Sequence, residues 1–251
     1  MDFVGLRHYQ RLMTEWVTIS RVLRNTFAIS MLSFATSPLP MLFAIMLNEI
    51  KTKKIKGVAQ TVTTLPNFIS WIVVFGITFS LFSNTGGVTR LLGVFGISLG
   101  PTGILGNNDA TWFFQVALQI WKQLGWGSII YLAAISGIDS TMYEAAHIDG
   151  ANKIQTILHI TIPSILPTYF VLLLLSIGNI LSNGFEQFFV FHNSLVADRI
   201  EVLDFFVYKV GIMAGDYSLS IVIGMLKSLI SITLLFIANQ ISKRFRGESM
   251  I

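Results

Sequence analysis

Five stretches of this sequence are long and apolar enough to cross a bilayer, and they restrict the fold more than any other feature. They run approximately over Asn25–Leu47, Val58–Phe82, Thr111–Ala134, Ser164–Phe191 and Tyr217–Ile241. Each meets the need for about 20 mainly apolar residues per membrane helix. The first two hold no Asp, Glu, Lys or Arg, and the others hold one each: Lys122, Glu186 and Lys227. In hydrocarbon the backbone must satisfy its own polar groups within the segment, so helices are predicted. The chain is 53% hydrophobic and 12% charged, with mean hydropathy +0.69, too apolar for a soluble domain. The expected class is an all-α polytopic membrane protein.

Charge placement predicts its orientation. Lys51, Lys53, Lys54 and Lys56 follow the first stretch, and Lys243, Arg244 and Arg246 follow the last. The positive-inside rule puts both groups in the cytoplasm. The polar insert around Glu144 then also lies inside. The Ser83–Ala110 and His192–Asp216 loops, with only Arg90, Arg199 and Lys209, lie outside. The N-terminus breaks this pattern, since it falls outside yet carries Arg7, Arg11, Arg21 and Arg24. Two compatible explanations are open. Thr14–Arg24 is an interfacial amphipathic helix with Trp16, Val17 and Leu23 towards lipid, or an upstream helix that fixes topology is missing from this chain. MDFVGLRHYQRLMTEW has no signal-peptide pattern. The expected organisation is an extracellular or interfacial segment 1–24, a transmembrane domain 25–242 with a cytoplasmic loop at 136–163, and a cytoplasmic tail 243–251.

Glu144 to Pro167, EAAHIDGANKIQTILHITIPSILP, is a polar, Gly- and Pro-punctuated insert between apolar segments. Tyr143–Ile148 reads as a short helix in which small Ala145 and Ala146 let another surface approach closely. Gly150 permits a turn that a side chain would oppose. Ala151–Ile160 reads as a second short helix, with Ile154, Ile157, Leu158 and Ile160 largely on one face. Pro163 suits the first turn of the next long helix. Two short helices joined at a glycine make a lever that can pass force into a bundle. An ordinary interhelical loop with solvated acids is the plainer alternative.

The E-A-A register, with Gly150 and then Ile160-Thr161-Ile162-Pro163 at fixed distance, resembles the EAA loop of permease subunits in bacterial binding-protein-dependent ABC importers. In that family the loop docks onto a separate ATPase. The resemblance covers essentially the whole chain. FVGLRHY, Asn25-Thr26, LPNFISWIVVFGI (Leu65–Ile77), GWGSIIYLAAISGID (Gly125–Asp139), GFEQFFVF (Gly184–Phe191) and YSLSIVIGMLKSLISITLLFIANQISKR look like its carbohydrate-uptake branch. The LplB-like oligo- and polysaccharide permeases are the nearest group. Ile162 stands where the family usually has Leu, a swap that keeps the apolar bulk.

The resemblance implies a type I permease-like helical bundle with five transmembrane helices visible here and a sixth expected in a full-length chain. It implies that Glu144, Ala145, Ala146, Asp149, Gly150, Ala151, Ile160 and Pro163 couple to the ATPase. The implied partners are a second permease subunit in a heterodimer, two cytoplasmic ATP-binding subunits, an extracellular solute-binding lipoprotein and membrane lipid, with no nucleic acid. The implied location is the bacterial plasma membrane. The chain itself would be no enzyme and carry no cofactor, ATP and Mg residing on the partner ATPase.

The residues exclude several other functions. The 251 residues include no Cys, which removes disulfides, thiolate metal sites and Cys nucleophiles. No G-x-x-x-x-G-K-S/T run cradles a phosphate; GMLKS (Gly224–Ser228) lacks the spacing. His8, His147, His159 and His192 are scattered rather than grouped for a metal, and the two in the loop read as surface residues. No G-x-S-x-G elbow is present. No catalytic or metal-binding residue is expected.

A substrate path is sought among polar residues in the spans, where ionisable groups usually face the bundle interior or a wet cavity. Asn179, Asn183, Glu186 and Gln187 have spacings that would put three or four of them on one helical face, flanked by Phe185, Phe188 and Phe189. Amides, carboxylates and aromatic faces all suit sugar hydroxyls. Trp121, Gln123 and Trp126 in the third span, and Asn67, Ser70 and Trp71 in the second, add to the candidates. The plainer reading has amides bonding between helices and tryptophans in the head-group belt. Lys122 either snorkels or pairs with Glu186, and Lys227 lies too deep to snorkel, with a partner on another helix or subunit. GIMAG (Gly211–Gly215) matches small-xxx-small at a loop edge and carries little weight. The leading function is a sugar or oligosaccharide importer permease. The alternatives are a same-architecture permease for another solute, an ion-coupled carrier or channel using Glu186 and Lys227, and, remotely, a membrane enzyme.

Overall fold

The computed structural model describes residues 7–97 and 102–246. Phe3–Leu6 of the FVGLRHY string and the tail beyond 246 lie outside the described residues. The elements are α1 Arg7–Thr14, α2 Trp16–Thr36, α3 Leu39–Asn48, α4 Lys53–Thr64, α5 Trp71–Phe82, α6 Gly87–Val94 and α7 Thr111–Ser136. They continue with α8 Ser140–Ile148, α9 Lys153–Thr156, α10 Ile162–Gly178, α11 Glu186–Phe191, α12 Ala197–Ile200, α13 Leu203–Tyr208 and α14 Tyr217–Arg246. Among the described residues no strand occurs, so the all-α expectation holds.

Among the described residues, four helical stretches are long and apolar enough to cross a membrane: Trp16–Asn48, Trp71–Val94, Lys153–Gly178 and Tyr217–Gln240. The expected count was five. The remaining one, α7, has 26 residues, about 39 Å at 1.5 Å per residue. Its length suffices, but Gln115, Gln119, Lys122 and Gln123 dilute its apolar character.

Proline and glycine interrupt three of the expected spans. The first bends at Ser37–Pro38, where α2 ends and α3 begins with proline in its first turn, a position that needs no N–H. The second is split: α4 gives way to a 3₁₀ turn at Leu65–Phe68, and α5 starts afresh behind Ser70. The fourth stops at Gly178, residues 179–185 are not helical, and α11 is a separate short helix. The expected interfacial helix Thr14–Arg24 is not a separate element. Its chain breaks at Glu15 and then runs as one helix to Thr36. Trp16 and Val17 are nonetheless exposed, as a lipid-facing position requires.

The described residues form two compact units. One takes the chain up to Ser33, Ile69–Ala117 and the residues from Ile177 onward; the other takes Phe34–Phe68 and Leu118–Ser176. The core of the second joins Met41, Ala44 and Ile45 of α3 to Tyr131 and Ile135 of α7 and Ile165 of α10. Tight contact rather than water exclusion holds such a core in lipid, and small residues permit it. A Cβ on Gly125 would lie 2.3 Å from the Thr63 backbone, so α7 and α4 touch main chain to main chain. In the first unit, Phe185 stacks on Tyr208 at 4.7 Å and Phe189 meets Phe205 at 6.1 Å. Gly211 lies so close to Ser220 that a Cβ would sit 2.5 Å from its Oγ. The glycine-rich GIMAG edge is therefore a packing site. Tyr217, Ile221, Met225, Leu229, Ile232 and Phe236 of α14 remain exposed, an apolar stripe suited to lipid or another subunit.

A candidate coupling lever and a dispersed polar stripe

The lever begins at Asp139, whose Oδ1 accepts the Thr141 N–H at 2.9 Å and caps α8. The backbone and side-chain hydrogen bonds from Thr141 hold this carboxyl below the usual carboxylate range. At the other end α8 closes in a Schellman turn. Gly150 adopts φ +75, the Gly150 N–H donates to His147 O at 3.1 Å and the Ala151 N–H to Ala146 O at 2.9 Å. The chain then reverses into a reciprocal cap. Asn152 Oδ1 accepts from Gln155 N at 2.9 Å, and Gln155 Oε1 accepts from Asn152 N at 2.8 Å. Two helix ends are thus satisfied within four residues, which makes the corner stiff without outside support.

The second arm differs from the expectation. The helix spans only Lys153–Thr156 before a π turn, Ile157–Thr161, carries it into α10. Pro163 lies in the first turn of α10, as expected, yet Lys153–Gly178 runs as one helical rod. The wide turn, in which Ile162 N–H reaches back to Ile157 O, accommodates a residue with no N–H to give. The expected shared apolar face is divided. Ile157 packs on the core of its unit, whereas Ile154 and Leu158 are exposed. Tyr143 OH and Thr161 Oγ1, 3.0 Å apart, brace α8 against this rod. Lys153 pairs with Glu49 at 3.0 Å, an exposed bridge of small value.

Glu144, Ala145, Asp149, Gly150 and Pro163 are exposed, while Ala146, Ala151 and Ile160 are half-buried. Ile148 is 85% and Ile154 69% exposed, with Met142 and Leu158 beside them. The corner therefore presents apolar side chains and small residues around two acids. It is shaped to be covered.

The polar stripe of the fourth span does not form one face. Gly184, at φ +77, turns the chain within SNGF, and its N–H donates to Asp204 Oδ2 at 2.9 Å. Asn183 Nδ2 donates to Ser30 Oγ at 3.0 Å. Gln187 is buried and donates to Gln115 O at 3.0 Å and to its Oε1 at 2.7 Å. Those two amides tie the loop and α11 to α2 and α7 rather than lining a shared face. Asn179 lies just beyond the end of α10, and Glu186 is exposed in the first turn of α11. Trp121 and Trp126 are each about half exposed, and Trp71 is half-buried at the start of α5. Trp126 meets the ring of Phe68 edge-on at 5.6 Å. Asn67 contributes its carbonyl to Lys122 Nζ at 2.7 Å, and Pro66 O accepts from the same amine at 3.2 Å. So Lys122 is held by main-chain carbonyls, and Lys227 pairs with Asp204 of α13.

The N-terminal arginines find carboxylates in the segment before α14. Arg11 bonds Asp216 at 2.6 Å, Arg21 bonds Glu201 at 2.7 Å, and Arg24 bonds Asp198 at 3.0 Å. Glu201 is 1% exposed and also receives Lys209. Asn25 Nδ2 donates to the carbonyls of Asp198 and Glu201, and Thr26 Oγ1 accepts from Leu203 N at 2.9 Å. Arg199 lies 4.4 Å over the Trp112 ring. Sequence reasoning assigned no role to Glu201, Asp204, Asn152 or Gln155. The N-x-x-Q spacing announces a cap, and lone acids inside the apolar RIEVLDFF string announce buried pairs.

The profile of the family described as binding-protein-dependent transport system inner membrane component matches residues 36–247. Protein LplB of Bacillus subtilis (strain 168) is 40% identical, covering 92% of this chain and 72% of that protein. The polygalacturonan/rhamnogalacturonan transport system permease protein YteP of the same organism is 36% identical, covering 99% and 77%. Among solved structures, a chain of the bacterial alginate ABC transporter in complex with alginate pentasaccharide-bound periplasmic protein matches with TM-score 0.90. It is 31% identical and covers 98% of this chain and 85% of that chain.

Proposed function

The chain belongs to the family of binding-protein-dependent transport system inner membrane components, and from that premise we propose that it is the permease of an ATP-driven importer for an oligo- or polysaccharide. The observation that carries the substrate class is similarity along nearly the whole chain to YteP, named for polygalacturonan and rhamnogalacturonan, and to an alginate transporter. Both names describe chains of acidic sugars. A solute-binding lipoprotein outside the cell delivers the substrate, a second permease completes the pore, and two cytoplasmic subunits supply ATP hydrolysis with their own Mg. The protein lies in the bacterial plasma membrane with its C-terminus inside. A carrier built on Glu186 and Lys227 is disfavoured, since Asp204 engages Lys227.

The lever at Glu144, Ala145, Ala146, Asp149, Gly150, Ala151, Ile160 and Pro163 docks the ATPase. Its self-capped corner and exposed Ile148 and Ile154 support this role. Among the path candidates, Glu186 of one unit and Trp121 and Trp126 of the other are each exposed enough to meet a sugar; Asn67, Trp71, Asn179, Asn183 and Gln187 remain candidates of the same kind. The test replaces Glu144 by Lys, or Gly150 by Pro, and measures ATP-dependent uptake alongside the amount of protein in the membrane. Uptake falls by at least tenfold with insertion unchanged, because both changes lie on an exposed corner. Normal uptake by either variant would remove the lever assignment.

A further inference from the structure

The interruption of the second span is held by a feature that its own sequence does not supply. Pro66 lacks an N–H and disfavours helix in the residue before it. Helix α4 accordingly tightens into the turn Leu65–Phe68, and Ser70, at φ −64 and ψ 152, caps a new helix. A helix end leaves carbonyls without partners in the helix, and a buried one needs a partner from elsewhere in the protein; Pro66 is buried. Lys122, 8% exposed, reaches two of them, Asn67 O at 2.7 Å and Pro66 O at 3.2 Å. One turn further along α7, Gly125 lets the helices touch, since a Cβ there would lie 2.3 Å from Thr63 O. Beside it Trp126 sets its ring against Phe68. Lys122, Gly125 and Trp126 are spaced i, i+3 and i+4, so they form one face of α7. The residues they grip belong to the same compact unit, whose first stretch, Phe34–Phe68, ends at the break.

This amine donates to the main chain of a broken helix. We propose that Leu65–Ser70 is a flex point used during transport and that Lys122 is the positioning residue that pins it, with Gly125 and Trp126 as the seat. The proposal rests on the permease reading for its link to uptake, while the pinning itself is independent of it. An unbroken helix would satisfy its own carbonyls and need no lysine. The sequence instead pairs a helix-breaking proline with a buried amine 56 positions away.

The experiment compares wild type, Lys122→Met, Lys122→Arg, and Lys122→Met combined with Pro66→Ala and Ser70→Ala, which together favour a continuous helix. Each is assembled with its partner subunits in liposomes. Thermal midpoint, hydrogen exchange across residues 65–71, ATP hydrolysis and uptake of a labelled oligogalacturonide are measured. Lys122→Met should lower the midpoint, speed exchange and cut uptake at least tenfold while ATP hydrolysis persists. Lys122→Arg, which keeps donors at this place, should retain most uptake. The mended variant should recover the midpoint without recovering uptake. Wild-type uptake in Lys122→Met would overturn the proposal. So would a mended variant that regains uptake, since the break would then be dispensable, or one that regains no stability, since the carbonyls would not be the source of the loss. If wild type shows no ATP-dependent uptake, the permease reading fails, and the midpoints alone still decide whether Lys122 pins the break.

Discussion

His192 follows α11 with its ring edge-on to Phe205 at 5.1 Å. Burial lowers its pKa from the ordinary 6.5, the charge of Glu201 opposes that shift and the charge of Lys209 adds to it. The sign for stability follows directly. The unfolded chain takes up a proton near pH 6.5 while the folded one resists, so stability is full above that pH and declines as pH falls towards the lowered value. The thermal midpoint of wild type should therefore drop between about pH 7 and pH 5. His192→Phe keeps an aromatic ring against Phe205 and removes the titrating group, so its midpoint should change less across that window. Equal slopes for the two proteins would assign the acid sensitivity to other groups. The same residue-level logic explains Asn25 and Thr26. They were legible only as part of a resembling string, yet both are fully buried and hold the backbone of residues 198–203. A sequence shows that a polar pair sits in an apolar helix but leaves its partner, 176 positions away for Asn25 and Glu201, undetermined.

Elements were legible where a local rule governs them. The turn at Gly150 and the long α14 follow from positive φ and length, while α8 begins at Ser140, before the expected Tyr143, behind its Asp139 cap. Breaks inside apolar runs were hidden, because hydropathy is blind to whether a carbonyl is satisfied by the next turn. Ile162–Gly178 and Glu186–Phe191 read as one span for that reason, and the expected Asn179–Gln187 face dissolved with it. The ion pairs were hidden too, since each joins distant elements. Glu201, buried on its short segment, receives Arg21 from α2 and Lys209 from the π turn after α13. Removing both cations by Arg21→Met and Lys209→Met strands a buried carboxylate and should cost about 3–5 kcal/mol. Either single change should cost less, because one donor remains. Adding Glu201→Met removes the stranded charge and should restore much of the loss. Denaturation of the purified protein measures all four variants, and a triple variant no more stable than the double would assign the cost to lost packing.

For the whole molecule, the charge distribution and the ion pairs together give a topology that can be tested. Counting Lys and Arg made the N-terminus an exception, but counting does not see partners. Arg11, Arg21 and Arg24 are matched by Asp216, Glu201 and Asp198. Lys51, Lys53 and Lys54 are exposed around the start of α4 and keep their weight as inside signals. The proposed orientation puts Asp109 and the 198–216 segment outside, with the N-terminal segment that bonds Asp198, Glu201 and Asp216, and the lever inside. The sequence has no Cys, so single cysteines report without background. Asp109→Cys, at a side chain 89% exposed, should react with a membrane-impermeant maleimide on intact cells. Lys53→Cys and Ile148→Cys should react only in inverted vesicles. If Ile148→Cys is labelled from outside, the lever faces away from any cytoplasmic ATPase, and the coupling role falls with the orientation. If Asp109→Cys is labelled only from inside while the lever is too, the segments cross the membrane an uneven number of times from those drawn here, and the path through the helices must be retraced.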